Sequence, residues 1–175
     1  KDGELIHAKS DNELTKAIIH ILMYFGDFLE KKPKEGGLGF TKGYIHRYGH
    51  YEIIGTLIHM VRTGGYPIRP GKTALSECDL WEDDYTPTPS QRDTAISETK
   101  ELLHKYSQLV ENVARLKQGV KKEEHLRLMY FIYKSLIFRD VLDDTVYSKI
   151  DNLLNRVLNK DNPEYDQITL WGTGD

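Results

Sequence analysis

Apolar residues recur three and four positions apart along most of this 175-residue chain, and no stretch alternates apolar and polar residues as a half-buried strand does. That spacing puts the apolar side chains on one face of a helix. It predicts helices over 10–32, 44–62, 89–118 and 121–142, and a last one that begins at Asp143 or Asp144 and ends near 159. The predicted fold is one all-α domain over residues 1–175, a bundle of four or five helices.

Glycine and proline mark the boundaries between these helices. Residues 33–43 form a glycine-rich loop, residues 64–89 an irregular Gly/Pro-rich connection with a short helix near 73–82, and residues 161–175 a tail. Thr88 and Pro89 are typical of the N-cap and first residue of a helix. The segment 121–142 is apolar on most sides, which predicts that it occupies the centre of the bundle.

Composition excludes several classes of protein. Hydrophobic residues make up 39% of the chain and charged residues 29%, which is too apolar for a disordered chain and too polar for a membrane protein. The single cysteine, Cys78, excludes an internal disulfide and a cysteine-based zinc site. The chain has no Asn-x-Ser/Thr glycosylation acceptor, and we expect an intracellular, cytoplasmic protein without membrane contact.

Charge is strongly segregated along the chain. Residues 31–72 carry eight Lys/Arg and two Asp/Glu, whereas residues 73–98 carry one Lys/Arg and seven Asp/Glu. Either these two segments fold against each other and neutralise one another, or the basic segment contacts an anionic partner.

The basic segment mixes cations with aromatic and glycine residues, as nucleic-acid-binding surfaces do. Cations neutralise phosphates, and aromatic rings stack on unpaired bases. The glycine-rich loop, which leads into a helix, would add backbone N–H groups that attract anions. The candidate binding residues are Lys34, Lys42, Tyr44, Arg47, Tyr48, Arg62, Arg69 and Lys72.

A second candidate is a metal site. His46 and His50 are four residues apart, so both side chains would project from one face of a helix and could share a metal ion. A third ligand would have to come from another helix, for which Glu98, His104 and His125 are candidates. Two such histidines beside Arg47 and Tyr48 are also typical of a surface that faces solvent or a partner.

Nucleophilic catalysis has little support in the sequence. There is no Gly-x-Ser-x-Gly motif, and Cys78 lies between Glu77 and Asp79, whose charges oppose thiolate formation.

We therefore expect a non-enzymatic helical binding module without a cofactor. It would engage an anionic partner, RNA or single-stranded nucleic acid first, through residues 34–72. The alternatives are a protein-interaction or scaffold domain of a larger chain and a metal-dependent helical-bundle enzyme that uses His46 and His50.

Overall fold

A computed structural model describes residues 13–40, 49–65, 88–135, 138–139 and 141–157. All regular structure in these ranges is helical, so the predicted all-α class is confirmed. The α-helices are α1 (Glu13–Glu30), α2 (Gly49–Thr63), α3 (Pro89–Asn112), α4 (Ala114–Lys117), α5 (Lys122–Lys134) and α6 (Asp144–Val157), with a 3₁₀ turn at Pro33–Glu35. The predicted short helix at 73–82 and the predicted tail lie outside the described residues.

The centre of the bundle is α3, and the prediction that 121–142 occupies it is wrong. α3 packs against α1, α2, α4 and α5, and its buried residues include Leu102, Leu103, Tyr106 and Leu109. α5 buries only one stripe of side chains, and its Phe131 remains 47% exposed. Five of the 13 residues of α5 are charged, and the apolar residues that it does carry do not decide its place in the bundle, which depends on how many neighbours a helix has.

The predicted helix 89–118 is interrupted at Val113. This residue has an extended backbone (φ −95°, ψ 116°), which ends α3 and starts the short helix α4. The side chains of Val113 and Leu116 are both buried. The Asp151 carboxylate of α6 accepts a hydrogen bond of 2.7 Å from the Arg115 N–H at the start of α4. Burial on both sides of the bend and a polar partner for the new N-terminus favour the interruption over a continuous helix.

The helix predicted over 121–142 ends at Lys134 instead. Ser135 is extended (φ −93°, ψ 167°), and its hydroxyl donates a 3.0 Å hydrogen bond to the Ile132 carbonyl. Serine side chains compete in this way with the backbone hydrogen bonds that continue a helix.

Two predicted helix caps are confirmed. The Thr88 hydroxyl accepts from the Gln91 N–H at 3.3 Å, with Pro89 as the first helical residue of α3. The Asp143 carboxylate accepts from the Val146 N–H at 2.9 Å and begins α6. Both side chains satisfy N–H groups that the helix itself leaves without a partner.

In the ranges that the structure describes, no helix is both long and apolar enough to cross a membrane.

Candidate anion-binding surface

The glycine-rich loop folds back over the C-terminal end of α1. The Leu38 and Phe40 N–H groups donate to the carbonyls of Phe28 and Leu29, each at 2.9 Å. The N–H groups of residues 36, 37 and 39 donate to carbonyls of residues 31–33. All five N–H groups of residues 36–40 are therefore used inside the protein. The expectation that this part of the loop presents N–H groups to an anion is wrong.

The glycines of this loop serve its close packing. Gly36 and Gly39 have φ values of +82° and +71°, in the left-handed region that favours glycine. Gly37 is buried, and a Cβ atom there would overlap the backbone of Lys31. A side chain at Gly37 would separate the loop from α1.

Phe40, the last described residue of the loop, is partly buried against the core, beside a buried histidine. Its ring makes an edge contact with His125 of α5, with the centroids 6.3 Å apart. His125 is 1% exposed, and its Nδ1 lies 2.7 Å from the hydroxyl of Tyr106 in α3. Its Nε2 is buried and makes no hydrogen bond. Phe40 therefore holds the loop to the core and is not a platform for stacking bases.

Burial controls the ionisation of this pair. It lowers the pKa of His125 to about 4, so the imidazole is neutral at physiological pH. It also raises the pKa of Tyr106 well above its ordinary value, and the nearby Glu124 charge adds to this. The pair is an uncharged contact between α3 and α5.

The loop also packs against α4 and the turn that follows it. The 3₁₀ turn contacts α4, and a Cβ atom on Gly119 would lie 3.5 Å from Cγ of Pro33. This packing brings exposed lysines from two distant parts of the sequence to one end of the bundle. We call this set the lysine end: Lys31, Lys32, Lys34, Lys117 and Lys121.

The lysine end keeps a positive character. Within the described ranges none of its five ammonium groups makes an ion pair with a carboxylate. Glu35, Glu111 and Glu124 lie at the same end and offset part of the charge, and the Glu124 carboxylate accepts a 2.7 Å hydrogen bond from the Lys121 N–H. Five cations near three carboxylates leave an excess of positive charge that faces solvent.

Arg62 lies far from the lysine end, although the sequence placed it in the same candidate surface as Lys34. Arg62 is half-buried in a groove of about 230 Å³ that Gln91 and Glu98 also line, near the N-terminal end of α3. The loop contacts Glu111, near the C-terminal end of α3. Gln91 and Glu111 are about 30 Å apart along a helix with a rise of 1.5 Å per residue. Arg62 and Lys34 therefore do not belong to one compact site.

The other candidate binding residues lie outside the described residues. These are Lys42, Tyr44, Arg47, Tyr48, Arg69 and Lys72, together with His46 of the metal pair. Most of the acidic segment 73–98 is also outside them. Whether that segment neutralises the basic one stays a prediction.

Among the described residues the components of a metal site do not converge. No group of three or more His, Cys, Asp or Glu side chains there is placed to hold a metal ion. His50 is half-buried, in an edge contact with Tyr51 whose ring centroid is 4.9 Å away.

The three proposed third ligands each have another partner. Glu98 accepts a 2.8 Å hydrogen bond from the Tyr133 hydroxyl, and His104 lies 3.3 Å from the Gln108 amide nitrogen. His125 contacts Tyr106, as described above. Glu98 and His125 therefore take part in contacts between α3 and α5.

Sequence reasoning missed Lys117 and Lys121. They flank Gly119 in the segment Lys-Gln-Gly-Val-Lys-Lys (117–122), which is a visible basic turn. This turn lies near the glycine-rich loop because of how α3 and α4 pack. The local sequence of the turn does not predict that packing.

Comparisons with known proteins assign no family to this chain. No family model matches it, no curated protein matches it, and no solved structure matches it.

Proposed function

We propose that this protein is a non-enzymatic binding module for an anionic partner, single-stranded RNA first, and that the lysine end is its contact surface. One observation carries the proposal: exposed lysines from two distant segments lie together at one end of the bundle without ion pairs among the described residues. Of the two predicted binding residues that the structure describes, Lys34 is part of this proposed surface and Arg62 is not.

The chemistry of the lysine end fits phosphates better than bases. Ammonium groups act as mobile point charges, whereas arginine adds a planar fork that can read base edges. Binding would therefore depend little on sequence and would gain free energy from the release of counterions. Tyr44 and Tyr48, which lie outside the described residues, remain the proposed stacking residues because they follow Phe40 closely in the sequence.

Fluorescence anisotropy with a labelled oligouridine of about 12 nucleotides tests the proposal. If all five lysines contact phosphates, log Kd should rise with log salt at a slope of about 3.5. The affinity should then fall roughly 100-fold between about 50 and 200 mM salt. Lys34→Gln should weaken binding and lower the slope by about 0.7.

Lys149→Gln is the matched control. Lys149 is an exposed lysine of α6 outside the lysine end, and its replacement changes the net charge by the same amount. We expect this variant to retain the slope of the unmodified protein. No binding at low salt, a flat salt dependence, or equal losses in the two variants would each remove the proposal.

A further inference from the structure

One face of α1 points away from the bundle and carries large apolar side chains. Met23 is 78% exposed, Tyr24 67% and Ile19 38%. The opposite face of α1 buries Ile18, Ile21 and Leu29 in the core. A surface helix of a globular domain usually has one apolar face, so the outward apolar residues need a separate explanation.

The residues of the outward face are spaced symmetrically about the middle of the helix. It consists of Lys16, Ile19, His20, Met23, Tyr24 and Asp27, which are 0, 3, 4, 7, 8 and 11 positions from its first residue. Eleven residues are close to three helical turns, so all six lie on one side of α1. The same spacings recur when the series is counted backwards from Asp27, and the charges at the two ends are opposite.

We propose that this face binds the same face of a second copy of the protein, with the two α1 helices antiparallel. A two-fold axis that passes between positions 21 and 22 then places Lys16 opposite Asp27 of the other copy. The same axis places Ile19 opposite Tyr24 and His20 opposite Met23. An interface between identical patches of this kind is the ordinary form of a homodimer.

The polar groups beside the face hold its aromatic residue in place. The Lys100 ammonium of α3 donates to the His20 Nδ1 at 3.1 Å and lies 5.2 Å from the centre of the Tyr24 ring. The His20 and Tyr24 rings also meet edge to face, with centroids 5.3 Å apart. A side chain that is already ordered loses less conformational entropy on binding.

Charge favours a second copy of this chain over an unrelated partner. Parallel pairing would place Lys16 against Lys16 of the other copy, and an axis at another position would place it against an apolar residue, His20 or Tyr24. Only the antiparallel arrangement pairs each charge with its opposite while the apolar residues meet. A contact three helical turns long is small among protein interfaces, so we expect a reversible dimer with a Kd in the micromolar range or weaker.

Sedimentation equilibrium of the 175-residue chain over a wide range of concentrations tests the proposal. The mass should rise from monomer to dimer with concentration. Met23→Asp should weaken dimerisation at least about tenfold, because it puts a carboxylate at the centre of the apolar contact. Val141→Asp is the matched control, since Val141 is 86% exposed outside the helices and should leave the dimer unchanged.

A charge exchange distinguishes the antiparallel dimer from other contacts. Lys16→Glu and Asp27→Lys alone should each weaken the dimer, because each brings like charges together. The double variant should recover most of the original affinity. A monomer at every concentration, a dimer that survives Met23→Asp, or a double variant without recovery would each overturn the proposal. Because this face does not include the lysine end, failure here leaves the RNA proposal untouched.

Discussion

At the scale of single residues, the Tyr133 hydroxyl joins three helices. It donates to the Glu98 carboxylate of α3 at 2.8 Å and lies 3.1 Å from the Val61 carbonyl of α2. Burial raises the pKa of Tyr133 to about 12, and the hydrogen bond and charge of Glu98 add to the rise.

Tyr133→Phe should lower the free energy of unfolding by about 1 kcal/mol, because it leaves the half-buried Glu98 carboxylate and Val61 carbonyl without this donor. Urea denaturation measures the loss. Tyr147→Phe is the control, since Tyr147 is also half-buried but its hydroxyl makes no hydrogen bond within the described ranges. Equal losses in the two variants would show that the hydroxyl of Tyr133 contributes nothing specific.

At the scale of helices, Asp151 attaches α6 to the rest of the bundle. Its Oδ1 caps α4 through the Arg115 N–H, and its Oδ2 accepts from the Asn155 amide at 3.1 Å. Asp151→Ala should destabilise the protein by about 1–2 kcal/mol, the usual cost of losing a helix cap. Asp151→Asn should recover part of this, because the amide oxygen still accepts a hydrogen bond.

Urea denaturation of these variants measures the loss of unfolding free energy. Hydrogen exchange at the Arg115 N–H shows whether the loss comes from the start of α4. The Arg115 N–H should exchange faster in Asp151→Ala than in Asn152→Ala, which alters an exposed neighbour on the same helix. Unchanged exchange at Arg115 would contradict a capping role for Asp151.

The helices themselves show which features a sequence encodes locally. Apolar spacing located the described helices, and Thr88 and Asp143 mark two starts correctly because a cap depends on neighbours within three residues. The interruption at Val113 was not predictable in this way. It depends on Asp151, which is far away in the sequence and meets Arg115 only after α6 has docked.

At the scale of the whole molecule, the same distinction applies to the candidate site. The sequence places Lys34 in a basic segment and groups it with Arg62, because the two share a run of positive charge. The fold separates them by most of the length of α3 and brings Lys34 to the same end of the bundle as Lys117 and Lys121 instead. Which charged side chains share a surface is therefore decided by how the helices pack, and spacing along the sequence does not show it.

The buried contact between α3 and α5 makes the stability of the whole bundle depend on pH. Burial lowers the pKa of His125 from 6.5 to about 4. Between these values the unfolded chain binds a proton at His125 and the folded protein does not, so acid favours unfolding. The contribution of His125 is fully present above pH 6.5. It should be lost progressively as the pH falls toward 4, to a total of roughly 3 kcal/mol.

Urea denaturation from about pH 7.5 to about pH 4 measures this loss, and His125→Gln isolates it. Glutamine removes the titration but keeps an acceptor for the Tyr106 hydroxyl. The difference in unfolding free energy between the two proteins should therefore shrink as the pH falls. His104→Gln, which replaces an exposed histidine of α3, is the matched control for the substitution itself. A constant offset between the unmodified protein and His125→Gln would mean that His125 gains its proton as readily in the folded bundle as in the unfolded chain.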